Sequence, residues 1–288
     1  MRLAYAADMH GNLALYQQLL ELSVSSNAQA VIVGGDLLPH ATRLSTAIEV
    51  QQHFIEHDLT ALLSQFHADH GHIKIFLLAG NDDWAAAIAA LEQLAEQQLA
   101  FPLHQRVYTL EQNSAPLWLA GYACVPPTPF SIKDYERRDH GSQRGVSFAQ
   151  AYWSREGHIR QINEHDIAQL PSIADDLDQL APYSDPQHTI YVCHTPPADT
   201  VLDLMRGGRH VGSPDLRRFI EQRQPFLTLH GHIHEAPMLS GHYAERIGAS
   251  LSINPGREAE RLHAITLDTD DIVGTLWHTV FGRMKDKG

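Results

Sequence analysis

The first hundred residues alternate short apolar runs with helical periodicity, and that rhythm limits the possible folds more than any other property of the chain. Residues 3–7 form an apolar run, after which Leu13, Tyr16, Leu19 and Leu20 fall on one helical face. Ala30-Val31-Ile32-Val33 is a second buried-strand pattern. Residues 42–66 read as one or two helices, with Ile48, Phe54, Ile55, Leu59, Leu62 and Leu63 as the apolar positions. A third strand pattern at 74–78 precedes an Ala-rich helix predicted over 84–97. This order predicts an α/β fold whose sheet strands are covered by helices. Strand patterns return at 107–110, 117–120, 189–192 and 226–229, and helices are predicted over 147–155, 164–180 and 214–222. The segments 262–267 and 272–277, around Asp268-Thr269-Asp270-Asp271, predict a hairpin. Pro126, Pro127 and Pro129 open a polar stretch over 131–145 that carries Lys133, Arg137, Arg138 and Arg144. Residues of about 125–185 therefore read as a cap inserted into one domain spanning 1–288.

Charge and composition exclude several classes. Asp and Glu number 34 against 21 Lys and Arg, a net charge of −13 with histidine neutral. Such a surface repels nucleic acid and anionic lipid, so no broad footprint on either is expected. No apolar run approaches the roughly 18 residues of a membrane helix. No long apolar segment precedes Asp8, so no signal peptide is read. Cys124 and Cys193 are too few for a disulfide framework, and a cytoplasmic protein is expected. Twenty histidines is a high number for a residue that is the commonest metal ligand, although most read as surface composition.

Five polar clusters close predicted strands, where open α/β sheets place ligand sites. They are Asp8-Met9-His10, Gly34-Gly35-Asp36, Gly80-Asn81-Asp82-Asp83, His194, and His230-Gly231-His232-Ile233-His234. Singly, each has a plain structural explanation. Asn12 reads as a helix cap, Gly34-Gly35-Asp36 as a turn, Asp82 or Asp83 as an N-cap for the helix at Trp84, and His194 as a lone structural histidine. Jointly they point to metal. In extended backbone, residues two apart share a face, so Asp8 with His10, and His232 with His234, each reach one metal edge. Two Asp, one Asn and four His exceed one tetrahedral ion but suit two ions sharing a carboxylate.

The ordered set D-x-H, G-G-D, G-N-x-D, H and G-H-x-H resembles the calcineurin-like metallophosphoesterases, from Asp8 to His234. The resemblance implies a four-layer α-β-β-α sandwich of two mixed sheets flanked by helices. It implies that Asp36 bridges two metals, with Asp8, His10 and His234 completing one site and Asn81, His194 and His232 the other. The implied cofactors are two divalent transition-metal ions, Mn2+ favoured, with Fe, Zn or Ni also suited to His and carboxylate ligands. An amidohydrolase barrel opens with H-x-H instead, the opposite order. The implied reaction is in-line attack on phosphorus by a hydroxide bridging two ions roughly 3.5–4 Å apart, and a small phosphoester, nucleotide-derived among the options, is the expected substrate.

One position departs from the commoner pattern. Many relatives have histidine at the third residue of G-N-x-D, where it protonates the leaving group or contacts phosphate; here it is Asp82. Two dications hold a carboxylate ionised, and its charge disfavours a monoester dianion more than a diester. A phosphodiesterase is the leading expectation, with Asp82, Asn81 and His10 as catalytic candidates. A phosphomonoesterase or protein phosphatase is the alternative, and a non-catalytic interaction module on the same fold is a third, disfavoured because no ligand position is lost. Asn81, Lys133, Arg137 and Arg138 are candidate substrate contacts, although the last three read equally well as surface ion pairs. His40 reads as a surface histidine, Cys193 as a core residue, and Asn254-Pro255-Gly256 resembles a structural turn that follows the last motif in relatives.

Overall fold

Alternate residues of the first strand enter two different cores. In the computed structural model, which describes residues 1–110, 116–140, 150–154 and 157–284, β1 runs Arg2–Ala6. Leu3 and Tyr5 join one buried cluster and Ala4 and Ala6 another, as a period of two requires. β2 (Ala30–Gly34) and β3 (Lys74–Leu78) divide likewise. Ile32, Phe76 and Leu78 side with Leu3, whereas Val31, Val33, Ile75 and Leu77 side with Ala4. A sheet apolar on both faces needs a cover on each. The helices Leu13–Ser25, Ala47–His53 and Thr60–His70 cover one, through Leu15, Leu19, Ala47 and Leu63. A second sheet covers the other.

The remaining strands, in chain order, are β4 (Phe101–Pro102), β5 (Val107–Leu110), β6 (Leu117–Tyr122), β7 (Ala151–Trp153), β8 (Arg160–Ile162) and β9 (Thr189–Cys193). After them come β10 (Leu204–Met205), β11 (Arg209–His210), β12 (Leu227–Leu229), β13 (Ala244–Ile247), β14 (Ser250–Ile253), β15 (Ala264–Asp268), β16 (Trp277–His278) and β17 (Gly282–Arg283). Among the described residues the first sheet has the order β17-β16-β15-β1-β2-β3-β4 and the second β13-β14-β12-β9-β6-β5. Both are mixed: β1 is parallel to β2 and antiparallel to β15, and β9 is parallel to β6 and β12 while β5 and β13 run antiparallel at the edges. The Tyr5 hydroxyl crosses between the sheets to donate to the His230 carbonyl at 2.8 Å. Helices Ile173–Leu180 and Pro214–Arg223 form the outer layer, where Tyr122 donates to Asp176 at 2.9 Å and Tyr191 meets Phe219 edge to face.

The local differences from the periodicity have physical causes. The helix predicted over 147–155 is replaced at Ala151–Trp153 by β7, paired with β8; Ala151 and Trp153 point to one side, into a small core with Ile162 and Ile167. Residues 147–149 and 155, like Arg144, lie outside the described residues. The helix over 84–97 is split into Ala85–Ile88 and Leu91–Glu96, and the free N–H groups of Ala85 and Ala86 are held by Asp134 and Ser154. Residues 272–275 form a helical turn capped by Asp271 instead of a strand, so the chain rejoins β15 only at β16. The β13–β14 hairpin went unread because Glu245 and Arg246 interrupt its apolar pattern. The segment expected as a cap is divided: its last helix, Ile173–Leu180, packs into the main core through Ile173 and Leu177.

Candidate metal centre

Parallel strands deliver the polar clusters to one end of the two sheets, and the backbone there leaves the extended conformation. Asp8, His10, Asp36 and His232 all have positive φ, at 59, 45, 48 and 65°. This region is unfavourable for residues with a Cβ and concentrates at functional sites. The turns are held together by Asp8 N–H to Gly35 O at 2.9 Å, His10 N–H to Asp36 O at 2.8 Å and Gly11 N–H to Leu37 O at 2.9 Å. Glycine is required at two close approaches. A Cβ on Gly80 would lie 2.2 Å from Asp36 Oδ1, and one on Gly35 would lie 2.1 Å from His194 Nδ1.

The side chains form two groups that share Asp36. Asp8, His10, Asp36 and His234 offer ligand atoms within 4.8 Å of one another, and so do Asp36, His194 and His232. His10 Nε2 stands 3.4 Å from His234 Nε2 and 3.8 Å from Asp36 Oδ2, and His234 Nε2 is 3.3 Å from Asp8 Oδ1. On the other side, His194 Nε2 lies 3.4 Å from Asp36 Oδ2 and 3.2 Å from Asn81 Oδ1. His194 Nδ1 donates to the Gly34 carbonyl at 2.8 Å, which leaves Nε2 free to face the cluster. The turn at His232 sends this ring and that of His234 into different groups, whereas extended backbone would have sent both to one.

The centre's electrostatics favour cations. Burial alone would raise the Asp36 carboxyl, but His194, His10 and the Asp82 N–H pull it well below the ordinary range. Asp8, fully buried, is likewise lowered, by His234 and His194 against the same burial. In a chain holding no cation, these two carboxylates overcome the burial of His194 and push it up to about 10. Burial pushes His10 down to about 4 and His232 down to about 3, so both rings are neutral and can bind metal. His10 Nδ1 is buried without a hydrogen-bond partner. Carboxylates drawn together, neutral imidazoles and an amide oxygen at 3–4 Å separations are a donor set that fits two divalent ions. Burial, Asp36 and Asp83 push Asp82 up to about 8 in the cation-free chain, while two dications act in the opposite direction.

Neither Asp82 nor Asp83 caps the helix at Ala85. Asp83 accepts from Gly80, Leu37 and Leu38 N–H at 2.8, 3.0 and 2.9 Å, fastening the β3 turn to the β2 turn. Asp82 lines the cleft, with Oδ2 3.4 Å from His40 and 3.8 Å from His10, and its Oδ1 accepts from Asn81 Nδ2 at 3.0 Å. His40, read as a surface residue, is exposed but stacks on His10 at 5.1 Å. Asn12 does cap its helix, accepting from Ala14 and Leu15. Lys133 is fully buried and bonds Thr128 O at 2.7 Å and Glu136 at 2.8 Å. Arg137 pairs with Asp176 at 3.2 Å, and Arg138 donates to the Leu170 carbonyl at 3.1 Å. These three lie away from the cleft lining, held by protein groups. A cleft of about 260 Å3 lies over the centre, walled by Thr128, Pro129, Phe130, Met205 and Val211. Sequence reasoning missed these walls; Pro129 marked a loop, but no local pattern linked it to β10 and β11.

A family model described as calcineurin-like phosphoesterase matches residues 1–236. The chain belongs to that family. It is therefore a metallophosphoesterase by descent, of a family that uses a dinuclear divalent metal site on two sheets flanked by helices. The chain is similar in fold to the TT1561 protein of Thermus thermophilus, with 18% identity, TM-score 0.55, and 93% and 94% of the two chains covered. It is also similar to a dimetal phosphatase from Danio rerio, with 11% identity, TM-score 0.52, and 92% and 91% covered. Phosphopantetheinyl hydrolase from Mycobacterium tuberculosis superposes with TM-score 0.51 at 13% identity, 88% of each chain being covered. No curated protein matches significantly. Among the described residues, no helix is long and apolar enough to cross a membrane.

Proposed function

We propose that this calcineurin-like phosphoesterase is a dinuclear metal-dependent phosphodiesterase of small, cytoplasmic phosphoesters, with Mn2+ as its native ion. The observation that carries the reading is Asp36, a buried carboxylate common to two groups of candidate ligands. Asp8, His10 and His234 hold one ion with Asp36; Asn81, His194 and His232 hold the other. Bound there, two divalent ions supply charge neutralisation and water activation for attack on phosphorus. The chain's own residues do the rest. Asp82 places a carboxyl at the cleft and orients the Asn81 amide, Asp83 locks the two turns together, and Thr128, Pro129 and Phe130 form one wall of the cleft. Preference for diesters is supported by Asp82, whose charge opposes a dianionic monoester. Cys124 and Cys193 are buried and unpaired, in keeping with a reducing compartment.

A phosphoester panel tests the proposal: purified protein, each substrate assayed with Mn2+, Zn2+, Ni2+ and Mg2+. The expected result is hydrolysis of aryl diesters with higher kcat/KM than the matched monoesters, greatest with Mn2+. A reversed ratio makes the protein a phosphomonoesterase of the same family. Two bound ions with no hydrolysis of any ester favour an interaction module.

A further inference from the structure

The turn after the last histidine motif carries a cation that has no carboxylate partner among the described residues. Arg257 follows Asn254-Pro255-Gly256, a turn held firmly from below. Asn254 Nδ2 donates to the carbonyls of Leu202, Gly231 and Ile233 at 3.0, 3.3 and 3.1 Å, and its Oδ1 accepts the Gly256 N–H at 2.9 Å. His263 and His278 both reach the Pro255 carbonyl, at 3.1 and 2.9 Å. The Arg257 N–H donates to the His234 carbonyl at 3.1 Å, which anchors the residue against a ligand of the centre. Its side chain is half-buried, and Nε is shut off from water without an acceptor. Among the described residues, no carboxylate or carbonyl accepts from the guanidinium. The charge is felt at His10 and His234, the side of the centre formed with Asp8.

A buried guanidinium N–H without an acceptor is unfavourable, so a ligand that supplies one is stabilised there. The charge makes the same point. A fixed cation beside a centre for two dications opposes metal uptake, and that repulsion is relieved when an anion shares the space. Lys133, Arg137 and Arg138 are already engaged by protein groups. A chain with a net charge of −13 must meet a phosphate's charge locally, and Arg257 is the cation whose backbone is bonded directly to that of His234.

We propose that Arg257 anchors the substrate's phosphoryl group, its guanidinium taking non-bridging oxygens on the Asp8–His10–His234 side. This inference rests on the phosphoester reading above. The test measures binding of inorganic phosphate to metal-loaded protein by calorimetry, with metal content determined on the same samples, for wild type, R257Q and R257K. R257Q is expected to weaken phosphate binding about tenfold or more, as loss of a charged hydrogen-bond donor does. Both ions stay bound, and KM for the diester rises by more than kcat falls. R257K recovers part of the affinity, because an ammonium restores charge without the planar fork. Phosphate affinity within twofold of wild type in R257Q overturns the proposal. So does loss of metal together with phosphate, which makes Arg257 a scaffold for the histidine turn. Wild-type protein that holds two ions, yet neither binds phosphate nor hydrolyses any ester, overturns the phosphoester reading and this inference with it; that failure shows before any substitution is made.

Discussion

Asp36 and Asp82 stand a hydrogen bond apart, Asp82 N–H to Asp36 Oδ1 at 2.9 Å, yet substituting them has opposite consequences. Asp36 serves both ligand groups, so Asp36→Ala is expected to remove both ions and abolish activity; element analysis of gently purified protein checks it, and a variant retaining full metal overturns the bridge. Asp82 belongs to the cleft lining and contributes charge. A carboxylate beside the reacting phosphate repels a dianion more than a monoanion, and more strongly where water is excluded. Asp82→His removes that charge and is expected to raise monoesterase relative to diesterase activity, with metal content unchanged. Matched aryl monoester and diester kcat/KM values in both proteins decide the point. The Asp and His residues that the structure gathers around Asp36 were all named from the chain, because metal ligation would demand particular residue types and strand ends give them a fixed order. The distribution of His232 and His234 between two groups was not legible from spacing. It follows from a positive φ at His232, which no side-chain chemistry announces.

The loops that end the strands are fastened by side chains outside the ligand set. Asp83 accepts three buried backbone N–H groups from two turns, so Asp83→Ala leaves three donors unpaired. At about 1–3 kcal/mol for each buried unsatisfied group, a loss of at least about 3 kcal/mol is expected in urea unfolding, with weaker metal retention. Asp83 had a cap-like position in the sequence, and only the neighbouring β2 turn shows what it binds. His104 joins the second sheet's edge to the chain after β6, its Nδ1 accepting the Ala123 N–H at 3.0 Å. Burial, with Arg137 and Arg106, pushes this imidazole down to about 3 from 6.5. The unfolded chain therefore binds the extra proton between those values and the folded chain does not. Stability is present above pH 6.5 and falls as pH drops toward 3. Urea midpoints at neutral and acid pH, with chelator present, should show this slope in wild type and a shallower one in His104→Gln.

At the scale of the molecule, two sheets and their outer helices hold the ligand turns against one another, so metal binding and folding are linked. An ion that binds only the native centre stabilises it by about 2.7 kcal/mol at a hundred times its dissociation constant. Chelation is therefore expected to lower the thermal midpoint by on the order of 5 °C or more, restored by Mn2+. A midpoint unmoved by chelator and metal contradicts a built metal centre. The net charge of −13 and the alternating strand and helix patterns are properties of composition and periodicity, and the sequence by itself determined them. The candidate ligand inventory was read from it too, since Asp, His and Asn stand in that order where the strand patterns end. Other features were decided only by the tertiary structure. The strained turns, the burial of Lys133, and the placing of Phe130 and Met205 around one cleft each depend on residues distant in the chain. Such pairings are set by packing two sheets face to face, and local sequence carries no signal for which distant neighbour a residue will meet.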